Sequence, residues 1–179
     1  MRTSEPMLGQ MRLAWWRDAL AKPVAERPRG DVVLDGIGEH WGGRESALSE
    51  MVDGWEVLLS AERMGRGEAE AFGAARGAFF AALAPDRSPA LAARLAAAGS
   101  RWALADAAAA VSDEEERAAL VAAGLATAQR GATGRLPQGL RGIAVLDVLA
   151  TRALKRGGRP LMEGRGASLA ALRGAIFLN

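Results

Sequence analysis

Four predicted helices of this chain each carry one charged side chain inside an otherwise apolar stripe. In "EPMLGQMRLAWWRDALA", Gln10 and Arg17 mark a polar strip, and Arg12 lies outside it. Arg76 falls in the middle of the stripe of Phe72, Phe79 and Leu83, and Asp106 follows Trp102 by one helical turn on the same side. Asp147 shares a stripe with Leu140, Ile143, Thr151 and Leu154. A charge withdrawn from water must be paired or hydrated. Three arrangements answer that requirement. One is internal ion pairing, for example Arg76 with Asp106. Another is a polar cavity in a helical bundle that binds an anion. The third is snorkelling, with arginine stems on apolar surface and heads in water. The cavity reading makes Arg12, Arg76 and Asp106 the substrate- or anion-binding residues. It takes Trp15, Trp16, Trp55, Phe72, Trp102 and Asp147 as the cavity lining.

Other site chemistries find less support in the residues. The chain has no cysteine and one histidine, which argues against thiolate or zinc sites and a His-based triad. No catalytic residues are assigned and no metal site is expected. The acidic run at 113–116 fits the first turn of a helix, where carboxylates meet the positive end of the dipole. "GRGEAEAFG" and "GGRPLMEGRG" lack both the G-K-[ST] ending and the preceding strand of a phosphate loop.

The charges need helices to hold them, and the chain reads as helical nearly throughout. Its 179 residues are 50% hydrophobic, largely alanine and leucine, both strong helix formers. The first helix begins near Pro6, capped by Ser4 or Glu5, and stops at Pro23. Met7, Met11 and Trp15 form one of its rows; Leu13, Trp16 and Leu20 form another. A helix apolar on so many sides is expected at the centre of a bundle. Further helices follow in "DVVLDGIGEHW", "SALSEMVDGWEVLLS", "GEAEAFGAARGAFFAALA" and "SPALAARLAAAGSRWALADAAAAV", the last with Ser88 as cap and Pro89 in the first turn. "SDEEERAALVAAGLATAQ" offers a capping box of Ser112 and Glu115. "QGLRGIAVLDVLATRALKR" and "ASLAALRGAIF" complete the set. No strand-like alternation occurs, so the expected fold is a single all-α domain over residues 1–179. The formal charge is +2 with no dense basic run, which argues against nucleic acid. No signal peptide is evident, and no apolar run approaches the roughly 20 residues of a transmembrane helix. The expected location is the cytoplasm, with peripheral contact to a membrane allowed.

Several segments resemble the squalene/phytoene synthase-like family. "EPMLGQMRLAWWRDAL" is similar to the R-E-P-x-x-G-x-x-R-x-x-W-W segment of its bacterial and mitochondrial branch. In order along the chain, "MVDGWEVLL" resembles the family's D/E-G-m-E-m-D-l helix and "FGAARGAFFAALA" its Y-x-x-x-A-G-x-V-G helix. "GSRWALADAAA" resembles G-x-A-x-Q-L-T-N-I-L-R-D, and "RLPQGLRGIAVLDVLATRAL" the late L-P-x-x-x-R-x-A helix. The first match is the specific one; the others rest on alanine-rich helices.

The resemblance implies a helical bundle of the isoprenoid (terpenoid) synthase type, here lacking the first helix or helices. Active members join two isoprenyl diphosphates head to head, using Mg²⁺ held by two acidic motifs. The first acidic motif would lie upstream of "EPMLGQ". In the second, Asp106 stands at the family's asparagine, and Ala109 and Ala110 occupy its arginine and aspartate positions. Leu58 stands at another acidic position, and Phe72 and Asp147 at two tyrosines. An alanine cannot ligate Mg²⁺. The resemblance therefore implies a degenerate member that has lost Mg²⁺-dependent prenyl transfer. It would bind a lipid, an isoprenoid or an anion, or act in assembly with a protein partner, as one member of that branch does for respiratory complex I. Two alternatives stand beside it. One is an active prenyltransferase with residues missing from its N-terminus, for which Mg²⁺ would be the cofactor. The other is a truncated fragment without independent function, in which an exposed apolar groove including Trp16 and Leu20 drives homodimerisation.

Overall fold

The computed structural model describes residues 6–85, 88–130 and 136–177. Among them the chain is all-α, with no strand. The helices are α1 (Pro6–Ala21), α2 (Val32–His40), α3 (Glu45–Ser60), α4 (Arg66–Ala81), α5 (Pro89–Ala110), α6 (Glu114–Arg130), α7 (Arg141–Lys155) and α8 (Gly166–Phe177). Residues Ser4 and Glu5, expected to cap α1, lie outside the described set. No helix among the described residues is long and apolar enough to cross a membrane.

The central helix is α5, not α1. Leu95, Ala98, Ser100, Arg101, Ala103, Leu104, Ala105 and Ala108 are all buried, so α5 is covered on most of its circumference, by α4, α6 and α7. Small side chains explain the position: alanine and glycine let neighbouring helices approach from several directions at once. In α1, by contrast, only one of the two apolar rows finds cover. Leu13, Trp16 and Leu20 pack on Leu48 and Val52 of α3. The other row stays outside, with Met7 73% and Met11 62% exposed and Trp15 touching Trp16 edge-on at 5.1 Å between ring centres. The groove expected around Trp16 and Leu20 is accordingly filled by α3. The exposed apolar side chains lie instead on α1 and on α8, where Leu169, Leu172 and Ile176 face outward.

Charged groups tie the periphery together. Arg17 donates to Asp53 at 2.5 Å and Glu56 at 2.6 Å, fixing α1 on α3. Arg27 is buried and donates to the carbonyls of Lys22 and Leu20 at the end of α1 and to Glu45 at the start of α3. It thus satisfies carbonyls that the helix itself cannot. Trp41, just past α2, stacks on Phe79 with 5.4 Å between rings while Arg44 lies 4.4 Å over its indole. The cap of α6 is Asp113 rather than Ser112: its carboxylate accepts the Glu116 N–H at 3.0 Å. That bond holds the Asp113 carboxyl below the usual aspartate range. The shift by one residue moves the third helical position from Glu115 to Glu116, whose carboxylate accepts the backbone N–H of Met64.

Helices α4 and α5 meet through glycines. A Cβ added at Gly77 would lie 2.6 Å from the carbonyl oxygen of Ala96, a backbone atom that cannot rotate aside. Gly77→Ala is therefore expected to lower stability by about 1–3 kcal/mol through overpacking, although alanine is the better helix former by about 1 kcal/mol. Gly36→Ala in α2 is the control, since nothing lies within 4 Å of its added Cβ. The control should raise the urea midpoint while Gly77→Ala lowers it; equal midpoints would contradict the close approach.

Candidate functional site

Helical spacing brings the site residues onto facing walls. On α4, Phe72 and Arg76 are one turn apart; on α5, Trp102 and Asp106 are one turn apart. With Trp55 and Leu58 of α3 and Arg12 of α1, these six side chains border a single cavity of about 570 Å³. Its remaining lining comes from α1, α3, α5 and the segments leading into α4 and α6, and is apolar apart from Glu116. The volume is in the range of sites that enclose small organic ligands, roughly 300–1,000 Å³.

Arg76 dominates the chemistry of this space. Its guanidinium carbon lies 5.2 Å from the Trp55 ring centre and 5.5 Å from that of Trp102, both within cation–π range. Trp55 in turn meets Phe72 edge-on at 6.4 Å, and Trp102 leans on Phe80 at 5.6 Å, which anchors both indoles to the core. No hydrogen bond or ion pair to Arg76 is present among the described residues. Burial lowers its pKa, and the negative charge of Asp106 partly opposes that effect. Asp106 is exposed at the rim, as is Arg12. The site therefore joins an apolar interior to one half-buried cation whose N–H groups still need an acceptor.

The other residues expected in the lining lie elsewhere. Trp15 and Trp16 do not border the cavity: Trp16 is committed to α3 and Trp15 to the outer surface. Asp147 does not border it either. It receives a two-pronged ion pair from Arg101, Nε to Oδ1 at 2.5 Å and Nη2 to Oδ2 at 2.7 Å. The ion-pairing principle thus operates, but between Arg101 and Asp147 rather than Arg76 and Asp106. Arg101 escapes sequence reading because it precedes Trp102 by one residue, off the stripe of Leu91, Leu95, Ala98 and Trp102. That sector of α5 becomes interior only when α6 and α7 pack on it. Glu116 is likewise unread as a wall residue, since its run looks like a solvated first turn.

Among the described residues, no group of three or more His, Cys, Asp or Glu side chains is gathered as a metal site. No family model, curated protein or solved structure matches the chain.

Proposed function

We propose that this chain is an amphiphile-binding helical protein, a degenerate relative of the squalene/phytoene synthase-like proteins with a terpenoid-synthase-type bundle and no prenyl transfer of its own. The observation that carries this reading is the apolar cavity with Arg76 held between two indoles and lacking an acceptor. An apolar chain would bury against Leu58, Phe72 and Ala107 while a negative head group meets the guanidinium. Further support comes from two wall residues. Leu58 and Ala110 border the cavity, and the resemblance puts acids at both positions. If the kinship is real, the carboxylates that would grip Mg²⁺ have given way to apolar wall, and metal-assisted loss of diphosphate is not available there. A cavity of this kind suits a carrier, or an assembly factor that responds to a lipid, peripheral to a membrane.

The test uses purified protein and two readouts. Nile red, a neutral apolar dye, should bind with one site per chain and lose that site in Trp102→Ala. Farnesyl diphosphate with Mg²⁺ should release no pyrophosphate above the protein-free rate. Absence of dye binding would refute the cavity reading, and sustained pyrophosphate release would favour the active prenyltransferase.

A further inference from the structure

The charges around the cavity restrict the head group it can take, an inference that rests on the amphiphile-binding reading. Two cations, Arg12 and Arg76, and two carboxylates, Asp106 and Glu116, border the space. The empty site is therefore neutral by formal charge. The carboxylates stand on different helices, and one oxygen of Glu116 already accepts the Met64 N–H. They are not arranged to share a divalent cation that would offset a polyanion.

The cations also differ. Arg12 is exposed at the rim, where water competes for it. Arg76 is half-buried, and its flat faces are taken up by the indoles of Trp55 and Trp102. Its in-plane N–H edge is what stays open. That edge matches a planar two-oxygen acceptor, which a guanidinium grips with two parallel hydrogen bonds. A diphosphate would bring several negative charges beside Asp106 and Glu116 with one buried cation to answer them. Its desolvation and repulsion would exceed what a single guanidinium returns. A neutral head would leave the Arg76 donors unsatisfied.

From this geometry we infer that the cavity selects an amphiphile with a single negative charge on its head group, a long-chain carboxylate being the simplest case, seated edge-on against Arg76. Asp106 then acts as a competitor for the same guanidinium, present in the empty site and outbid when ligand arrives. This assignment separates the site from any diphosphate-processing ancestor, because it rests on the charge count of the present wall.

Displacement of bound Nile red by ligands of different head group tests the inference. Dodecanoate should displace the dye at a concentration about tenfold or more below that of dodecanol, the value of one charge-assisted hydrogen bond. Farnesyl diphosphate, with or without Mg²⁺, should compete no better than dodecanol. Asp106→Asn should tighten dodecanoate severalfold and leave dodecanol unchanged. Equal displacement by acid and alcohol, tighter binding of the diphosphate, or weaker dodecanoate binding in Asp106→Asn would each overturn the head-group assignment while leaving the cavity reading intact. Failure of Nile red itself to bind would instead remove the reading beneath it.

Discussion

Asp147→Ala is expected to cost about 3 kcal/mol of folding stability, the low end of the range for breaking a buried ion pair. Arg101 is only 8% exposed and directs two N–H groups at the Asp147 carboxylate. Its remaining reach, Nη1 to the Thr127 carbonyl at 3.4 Å, is long and to a neutral acceptor. Remove the carboxylate and a guanidinium is left enclosed by α5, α6 and α7 with a net charge and one weak bond. The low end applies because Asp147 keeps some contact with water, its side chain being 29% exposed. A domain of this size has roughly 5–15 kcal/mol to lose, so the urea midpoint should fall by a visible fraction.

The pair's net worth is a separate matter from the cost of breaking it. Both partners gave up hydration to meet, and matched apolar replacements of buried pairs are often neutral or better. Arg101→Met combined with Asp147→Leu should therefore be more stable than Asp147→Ala alone. A single variant within about 1 kcal/mol of wild type would mean that water reaches Arg101 after truncation. A double variant worse than the single would mean that α5 and α7 need the ion pair to find their register. Either result would revise the view that the clasp is expensive to break yet replaceable.

Helix type and extent were legible in the sequence because caps and breakers are local. Ser88 caps α5 through its hydroxyl, with Pro89 in the first turn, as their types dictate. The cap of α6 was misplaced by one residue because Ser112 and Asp113 are adjacent and equally able acceptors; only the backbone path chooses between them. Burial was less legible. Periodicity reports which faces are apolar but not which face finds a partner. Met7, Met11 and Trp15 make a stronger apolar row than most of α5, yet α5 is interior, since its alanines permit close approach on several sides. The same limit governs the site. Phe72 to Arg76 and Trp102 to Asp106 were visible as one-turn pairs, and Arg12 as a charge out of place. That these border a common cavity depends on how α1, α3, α4 and α5 pack. Arg101 with Asp147 and Arg27 with Glu45 join residues 46 and 18 positions apart, and no short-range pattern announces either.

Arg76→Met should weaken binding of an anionic apolar dye by about tenfold to a hundredfold and leave the fold intact. The binding loss follows from removing the one half-buried donor group in the cavity, since hydrogen bonds to charged groups are worth about 1.5–3 kcal/mol. Stability is a balance of two opposed effects. Cation–π contact with Trp55 and Trp102 is forfeited, about 0.5–2 kcal/mol. Against that, the desolvation that lowers the Arg76 pKa is relieved, and methionine fills much of the same volume with apolar atoms. The two are of similar size, so the thermal midpoint should move by only a few degrees. Anilinonaphthalene sulfonate and Nile red separate the outcomes, because one carries a negative charge and the other does not. Loss of both dyes with an altered near-UV circular dichroism spectrum would make Arg76 a structural residue of the bundle. Retention of the sulfonate dye at wild-type affinity would place the anion contact on another group, and Arg12 at the rim would be the next residue to remove. Loss of the sulfonate dye alone, with Nile red still bound, is the result that a guanidinium waiting for an acceptor requires.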